Sequence, residues 1–298
     1  MKKRSDYNFL TILSPTDIGT LFYIFVSTIF ICIQSSQIEN VCIHFAIRIA
    51  VIAFIPIFYF LDKRIPNKIT SLLKNIYPLL FLSYFYGETV YIKNIIFPTD
   101  LDAHFAKIDQ WLFDCQPSME FSRFFNSDFF REIMFMSYFS YYLMIAIVCI
   151  AICFLKPFEA RKSLFLVTFS FYMYYILYII LPIIGPQYYF NSTAYEPNLP
   201  YFFGKVMYHL HPIEKATGAF PSSHVGIAFI LSYITFKHIK KLFYFILPFV
   251  FGICFATIYL KEHYLIDVIA GIISVPLLIK FTTYIYKKLS LFLEFEHH

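Results

Sequence analysis

Two short segments of this 298-residue chain carry the side chains best suited to chemistry. Pro221-Ser222-Ser223-His224 and His263-Tyr264-Leu265-Ile266-Asp267 each stand at the start of a long apolar run. Ionisable side chains at the mouths of apolar segments are costly to desolvate, and residues at such positions usually serve a function. The two histidines and the aspartate are therefore predicted to form one site at a membrane surface.

The spacing of the second segment predicts a nucleophile. His263 and Asp267 are four residues apart, so on a helix they share one face. A carboxylate that accepts a hydrogen bond from one ring nitrogen fixes the imidazole tautomer and leaves the other nitrogen free to attack. The same carboxylate stabilises the positive charge of the ring after it has reacted. His263 is therefore predicted to attack and Asp267 to support it.

The first segment predicts a helix start with an acid beside it. Serine is a favoured N-cap, and the free N–H groups of a first helical turn bind anions. Ser222 and Ser223 are therefore predicted to contact a phosphate, with His224 close enough to donate a proton to a leaving oxygen. A helix N-terminus disfavours an imidazolium, so this acid needs support from the phosphate or from a nearby carboxylate.

The composition identifies an integral membrane protein. Hydrophobic residues make up 59% of the chain and charged residues 14%, whereas soluble domains carry roughly 25% charged residues. Most of the continuous apolar runs approach the roughly 20 residues that a spanning helix needs. An all-α integral membrane fold with about eight transmembrane helices is predicted, with runs at 17–34, 41–61, 75–93, 132–155, 163–184, 222–237, 241–259 and 264–286.

The basic residues predict how these spans are oriented. With eight spans both termini lie on one side, and most of the 24 Lys and Arg residues fall there. Such an excess marks the cytoplasmic side. Both termini are therefore predicted to be cytoplasmic and both histidine segments to lie on the opposite face. A bacterial inner membrane is the expected location, and a eukaryotic organelle stays open. The net charge of +5 is thereby explained without a nucleic-acid partner.

One membrane domain with two unequal parts is predicted. Residues 1–74 form an added two-span hairpin, and residues 75–298 form a six-span catalytic domain with a short C-terminal tail. The partly amphipathic loop 94–131 predicts an interfacial helix. The proline-rich loop 185–221 predicts an ordered but irregular lid.

Other polar residues are less informative. Glu88 and Arg48 lie inside predicted spans and are expected to pair with each other or with backbone groups. His209 and His211 form an H-x-H pattern, a weak metal signal. No metal ion and no other cofactor is predicted, and oligomeric state is left open.

Two motifs resemble a known family. Gly218-Ala219-Phe220-Pro221-Ser222-Ser223-His224 and the stretch 256–271 resemble the second and third motifs of the type 2 phosphatidic acid phosphatase (PAP2) superfamily. The resemblance covers the six spans between about residues 75 and 286. It implies a metal-independent reaction on a lipid phosphate in the bilayer. By it, His263 attacks phosphorus to give a phosphohistidine, Asp267 supports it, and His224 protonates the leaving group.

The chain departs from that family's phosphatases at two cationic positions. They usually carry a first motif of Lys, six residues and Arg-Pro, which this chain lacks, and Ser-Arg where it has Ala256-Thr257. A monoester phosphate carries nearly two negative charges and a diester one, so a diester tolerates fewer cations. The candidates for replacement cations are Lys205, Lys215, Lys261, Arg123 and Arg131. Of these, Lys261 is predicted to contact the substrate.

A third segment favours the diester hypothesis. Gly185-Pro186-Gln187-Tyr188 stands where the first motif usually lies and resembles the inositol phosphorylceramide synthase branch. That branch moves a phosphodiester head group between lipids, which implies that Gln187 and Tyr188 contact the substrate. The leading hypothesis is therefore a lipid phosphotransferase. The alternatives are a lipid phosphate phosphatase and a transporter, although no paired repeat of interrupted helices supports the latter.

Overall fold

The computed structural model describes residues 12–210 and 217–296. Within these ranges the chain forms helices and no β-strand. The helices are α1 (Pro15–Gln34), α2 (Val41–Arg64), α3 (Lys68–Leu80), α4 (Leu82–Ile92), α5 (Asp102–Phe113), α6 (Pro117–Phe124), α7 (Asp128–Leu155), α8 (Pro157–Ile180), α9 (Pro186–Tyr189), α10 (Phe202–Leu210), α11 (Ser223–His238), α12 (Lys240–Tyr259) and α13 (Leu265–Glu296).

Six of the described helices are long and apolar enough to cross a membrane: α1, α2, α7, α8, α12 and α13. The prediction of an all-α integral membrane protein is thereby confirmed. The other two predicted runs have a different form. The run 75–93 is divided between α3 and α4, and the run 222–237 forms α11, which has 16 residues. The count of eight spans stays a prediction.

A break interrupts the run 75–93. Helix α3, which contains Pro78, ends at Leu80, and α4 begins two residues later. At the other end of α3, the Asn67 side chain accepts hydrogen bonds from the amides of Ile69 and Thr70. This cap starts the helix seven residues before the apolar run begins.

The N-terminal helix α1 packs directly on α8, whose residues are mostly buried. The rings of Tyr23 and Tyr172 stack with centroids 4.6 Å apart, and the Thr20 and Tyr172 hydroxyls are 3.1 Å apart. Gly19 allows the close approach, because a Cβ there would lie 2.9 Å from the Phe169 ring. The predicted boundary after residue 74 falls inside α3, and the division into two domains stays a prediction.

A buried ion pair joins α2 to α4. The guanidinium of Arg48 donates to both carboxylate oxygens of Glu88, over 2.6 and 2.7 Å. His44 Nδ1 lies 2.7 Å from Glu88 Oε1, and the Tyr84 hydroxyl donates to the same oxygen over 3.2 Å. The predicted pairing of Arg48 with Glu88 is thus confirmed, and its full set of hydrogen bonds satisfies two charges in an apolar environment.

Candidate functional site

The site lies at one end of the bundle, where three connecting segments meet. They are the segment after α8, the segment before α11 and the turn between α12 and α13. The Ala219 amide donates to the Ile183 carbonyl over 3.0 Å, the Ser222 amide to the Asp267 carbonyl over 3.0 Å, and the Gln187 amide to the Lys261 carbonyl over 2.9 Å. These backbone bonds bring segments far apart in sequence into one frame.

The two histidines face each other inside this frame. His263 Nε2 lies 3.4 Å from His224 Nδ1, and the ring centroids are 5.6 Å apart. On the far side of the ring, His263 Nδ1 lies 2.7 Å from the carbonyl oxygen of Ala219. Because a carbonyl can only accept, Nδ1 carries the proton and Nε2 keeps its lone pair. The nitrogen with the available lone pair is therefore the one that faces His224.

Asp267 lies beside His263 without orienting it through a hydrogen bond. Its Oδ2 is 3.6 Å from His263 Nδ1 and accepts from the Tyr264 amide over 2.8 Å, which caps α13. Among the described residues its Oδ1 has no hydrogen-bond partner. The tautomer contact expected of this carboxylate is made by the Ala219 carbonyl instead. Asp267 thus places a buried carboxyl group next to the ring.

His224 occupies the first turn of α11 and lies against two aromatic rings of α7. Its Nε2 lies 3.1 Å from the Tyr138 hydroxyl. Its ring centroid is 4.9 Å from that of Tyr138 and 4.5 Å from that of Tyr141. The histidine is only partly buried, whereas both tyrosines are almost fully buried. The ring is therefore held from behind by α7 and stays accessible on its other side.

The two serines before His224 are used mainly by the protein itself. The Ser222 hydroxyl accepts from the Val225 amide over 3.4 Å, so Ser222 caps α11 as predicted. The Ser223 amide donates to the Tyr178 hydroxyl over 3.2 Å. Both side chains are buried. Contact of these serines with a phosphate stays a prediction.

The segment that begins at Gly185 is attached to the turn before His263. The buried Gln187 donates to Glu262 Oε2 over 2.7 Å, and the Tyr195 hydroxyl donates to Glu262 Oε1 over 2.5 Å. Gly185 has φ +94°, and a Cβ there would lie 2.6 Å from the Glu262 carbonyl oxygen, so only glycine fits. Tyr188 is half-buried in the same segment. Glu262 was not singled out in the sequence analysis, although its neighbour His263 was.

Two of the candidate cations lie beside this turn. Lys261 has φ +64° and donates from Nζ to Ser192 Oγ over 2.7 Å. Burial lowers the pKa of Lys261, and the positive charge of Arg131 lowers it further. Arg131 itself lies 3.6 Å from a carboxylate oxygen of Glu196 and 3.8 Å from one of Asp128. Positive charge near the site is thus already partly compensated.

The remaining polar candidates lie elsewhere. The Arg123 side chain is largely exposed and pairs with Glu120, and Lys205 is exposed on α10. Lys215 and His211 fall outside the described residues, and His209 is exposed. In the described ranges, no group of three or more His, Cys, Asp or Glu side chains is arranged to hold a metal ion.

Two buried aspartates of α5 brace the site. Asp102 accepts hydrogen bonds from the amides of Ile184 and Gly185, each over 2.9 Å, and from the Tyr264 hydroxyl over 3.0 Å. Burial raises the pKa of this carboxyl, although these hydrogen bonds oppose the shift. Asp102 thereby fixes the segment after α8 to the residue that follows His263.

Asp109 holds the start of α13 in the same way. Its carboxylate accepts from the amides of Leu265 and Ile266 over 2.9 and 3.1 Å, which satisfies two of the free N–H groups of that helix. Burial raises the pKa of Asp109 as well. The sequence did carry a signal for both braces, since Asp102 and Asp109 are seven residues apart and share one face of a helix.

Helix α4 positions the segment that supplies the Ala219 carbonyl. The Tyr86 hydroxyl donates to the Thr217 carbonyl over 2.8 Å, and the Thr89 and Thr217 hydroxyls are 3.2 Å apart. Between them, Gly218 has φ +77° and packs so closely on Tyr86 that a Cβ would lie 2.9 Å from the ring. The geometry of His263 therefore depends on a helix that carries no motif residue.

The environment of His263 predicts activity at unusually low pH. Burial lowers the pKa of its imidazole from 6.5 to about 4, although the Ala219 hydrogen bond acts in the opposite direction. A lowered pKa keeps Nε2 unprotonated down to that value, so the acidic limb of kcat/KM is expected near pH 4 and not near 6.5. The measurement is a pH profile with a phosphodiester substrate, which does not titrate in this range. An acidic limb at pH 6.5 would contradict the burial argument.

The lowered pKa of His263 also makes the folding stability of the protein depend on pH. The unfolded chain takes up a proton on His263 below about pH 6.5, whereas the folded chain does so only near pH 4. The contribution of this group to folding is therefore complete above pH 6.5 and is lost as the pH falls towards 4.

A helical membrane bundle with two facing histidines at its mouth defines a class of protein suited to transfer at phosphorus. The sequence profile of the PAP2 superfamily matches residues 103–281, about three-fifths of the chain, and the chain belongs to this superfamily. Its members are generally phosphatases and phosphotransferases, which supports an enzyme of this kind. The match includes both histidine segments, and α1–α4 precede it. No characterised protein and no solved structure is significantly similar to the chain.

Proposed function

We propose that this protein transfers a phosphoryl or phospho-head group of a lipid phosphate ester through a phosphohistidine at His263. The observation that carries the proposal is the 3.4 Å separation of His263 Nε2 from His224 Nδ1, with the opposite nitrogen of His263 held by the Ala219 carbonyl. A nucleophile with a fixed tautomer and a proton donor next to it are the two groups that this chemistry requires.

The reaction proceeds in two balanced steps. In the first, the lone pair of His263 Nε2 forms a bond to phosphorus while the bond from phosphorus to the leaving oxygen breaks. Protonated His224 gives its Nδ1 proton to that oxygen. In the second, the hydroxyl of an acceptor attacks phosphorus and returns its proton to His224, and the P–N bond breaks. In the carboxylate form, Asp267, 3.6 Å from His263 Nδ1, stabilises the cationic ring between the steps.

The charges around the site favour a phosphodiester donor. Arg131 lies near the carboxylates of Glu196 and Asp128, and burial lowers the pKa of Lys261, so little uncompensated positive charge is left for a dianion. A phosphodiester carries a single negative charge and needs less compensation. The function supported best is therefore head-group transfer between lipids, similar to that of inositol phosphorylceramide synthases. Gln187, Tyr188 and Lys261 are the proposed substrate contacts.

Hydrolysis is the alternative within the same mechanism. A lipid phosphate phosphatase needs the same phosphohistidine, with water in place of the acceptor alcohol. Membership of the PAP2 superfamily supports both activities equally. A transporter is the second alternative, and it is favoured only by the buried Arg48–Glu88 pair inside the bundle.

The proposed setting is a membrane with the site on its non-cytoplasmic face and both termini in the cytoplasm. Basic residues concentrate at the opposite end of the bundle, at the α7–α8 and α11–α12 turns among other places. Eight spans result if α11 and the α3–α4 pair each cross the bilayer. The substrate then reaches the site from the outer leaflet of a bacterial inner membrane.

A product analysis tests the proposal. Purified protein in mixed micelles receives either a lipid phosphomonoester or a phosphodiester lipid with a ceramide or diacylglycerol acceptor, and free phosphate and transferred lipid are both measured. Transfer from the diester is expected. Phosphate release from the monoester alone would replace the transferase by a phosphatase. Failure of folded protein to act on either donor would leave the transporter hypothesis.

A further inference from the structure

We propose that Tyr138 and Tyr141 form an aromatic cradle that holds His224 as an imidazolium with its Nδ1 proton directed at the leaving oxygen. In this arrangement Tyr138 is a positioning residue whose hydroxyl holds the Nε2 proton. The proposal rests on the function proposed above, and it adds residues that lie outside both histidine motifs.

The rings of both cradle tyrosines lie close to the His224 ring. Tyr138 and Tyr141 are three residues apart on α7, so they project from one face of that helix. Their ring centroids lie 4.9 and 4.5 Å from that of His224, tilted by 33° and 50°. Both tyrosines are almost fully buried. Aromatic rings attract a cation that lies over their faces within about 6 Å of the centroid, and both centroids are within that distance of the His224 centroid.

The hydrogen bonds around His224 assign its protons. The Ala219 carbonyl requires a proton on His263 Nδ1, so His263 Nε2 is an acceptor and the facing His224 Nδ1 is the donor. On the opposite edge, His224 Nε2 meets the Tyr138 hydroxyl at 3.1 Å. This hydroxyl donates when Nε2 is unprotonated and accepts when Nε2 carries a proton, so it contacts the ring in both states.

The cradle answers an electrostatic difficulty at this position. His224 lies in the first turn of α11, where the helix dipole disfavours a positive ring. Within the described ranges, no carboxylate pairs with this histidine. The titratable groups that face it are Tyr138 and Tyr141 from α7 and His263 from the turn before α13, with Asp267 behind His263. Burial lowers the pKa of the His224 imidazole well below its usual value, and the neighbouring His263 lowers it further. The tyrosine rings are the described groups in direct contact that we propose oppose this shift.

The proton balance follows from this assignment. In the imidazolium, Nδ1–H donates to the leaving oxygen and Nε2–H donates to the Tyr138 oxygen. Transfer of the Nδ1 proton leaves a neutral ring that still donates from Nε2 to Tyr138. The acceptor alcohol later returns a proton to Nδ1. The Nε2 proton stays on His224 in both steps, and the Tyr138 oxygen accepts its hydrogen bond.

The leaving group distinguishes this role from a structural one. An alkoxide needs a proton as it departs, whereas p-nitrophenolate does not. We therefore compare kcat/KM, which reports formation of the phosphohistidine, for an alkyl ester and for a p-nitrophenyl ester of the same phosphate. Tyr138→Phe keeps the ring and removes the hydroxyl. It is expected to lower kcat/KM by about 10- to 100-fold for the alkyl ester and less than about threefold for the p-nitrophenyl ester.

Controls keep the outcome decisive. Tyr142→Phe alters a more exposed tyrosine on the same helix and is expected to leave both rates unchanged. Tyr141→Leu removes a cradle ring and is expected to show the same selective loss as Tyr138→Phe. Equal losses of Tyr138→Phe on both esters, or no loss on either, would overturn the proposal. If the wild-type protein formed no phosphohistidine from either ester, the proposed function itself would have failed.

Discussion

Replacing His263 with glutamine lowers turnover by more than about 10⁴-fold, the scale seen when a covalent nucleophile is removed. Glutamine has a similar length and an amide N–H that can donate to the Ala219 carbonyl, so the site keeps its shape. It has no basic nitrogen with which to attack phosphorus. The loss is therefore chemical, and it is measured as kcat with the lipid donor identified in the product analysis.

The matched control is His209→Gln, which alters an exposed histidine of α10. This variant is expected to keep wild-type turnover. Rapid acid-free denaturation of the wild-type protein during turnover is expected to trap the phosphoryl or phospho-head group on His263, and neither group in the glutamine variant. Turnover of the His263→Gln variant within tenfold of wild type would exclude the phosphohistidine mechanism.

Replacing Glu88 with leucine destabilises the protein by about 3–5 kcal/mol, the usual cost of leaving one member of a buried ion pair alone. Arg48 then keeps its charge in an apolar environment without the two carboxylate oxygens at 2.6 and 2.7 Å. The remaining acceptors, the His44 carbonyl and the hydroxyls of Ser27 and Thr28, are uncharged. Thermal unfolding in detergent measures the loss.

The double variant Glu88→Leu with Arg48→Met separates charge from packing. Removing both charges is expected to restore most of the lost stability. His44 and Tyr84 lose their carboxylate partner in this variant, but the Tyr84 hydroxyl lies 2.8 Å from His44 Nδ1, so these two side chains can satisfy each other. A double variant as unstable as Glu88→Leu alone would show that the pair acts through shape and not through charge.

The convergence of the two histidines could be predicted because each opens an apolar run. Helices that cross the same bilayer bring such residues to its surfaces. Two predicted spans separate the two motifs, and an even number of spans returns the chain to the same face. The distance between His263 and His224 follows from the frame of backbone hydrogen bonds, which no motif encodes. Sequence alone therefore predicts which residues meet and leaves their relative orientation undetermined.

The role of Asp267 shows where spacing arguments end. The four-residue interval predicted a hydrogen bond to His263, yet the same aspartate stands three residues after Tyr264 and caps α13. The Asp267 carboxylate could either orient His263 or cap α13. Its Oδ2 atom makes the capping hydrogen bond and lies 3.6 Å from His263 Nδ1. The Ala219 carbonyl, 44 residues earlier in the chain, supplies the expected contact.

The braces of α5 and the break after α3 had weaker signals. Asp102 and Asp109 share a helix face, but their partners are backbone amides, which have no signature in the sequence. Pro78 lies inside the run 75–93, but α2, α12 and α13 each contain a proline and stay continuous, so a proline alone does not predict the break. Hydropathy alone treats that run as continuous.

The acceptor that fixes which nitrogen of His263 carries the proton is a peptide oxygen, the carbonyl of Ala219. Every amino acid has that oxygen, so no side-chain substitution at position 219 removes it. In a saturation library, substitutions of Ala219 are therefore expected to affect activity only through the size of the new side chain. Such a screen does not detect the hydrogen bond that this carbonyl accepts, because the bond depends on the backbone conformation at Gly218. A mutation can remove the bond only by changing that conformation.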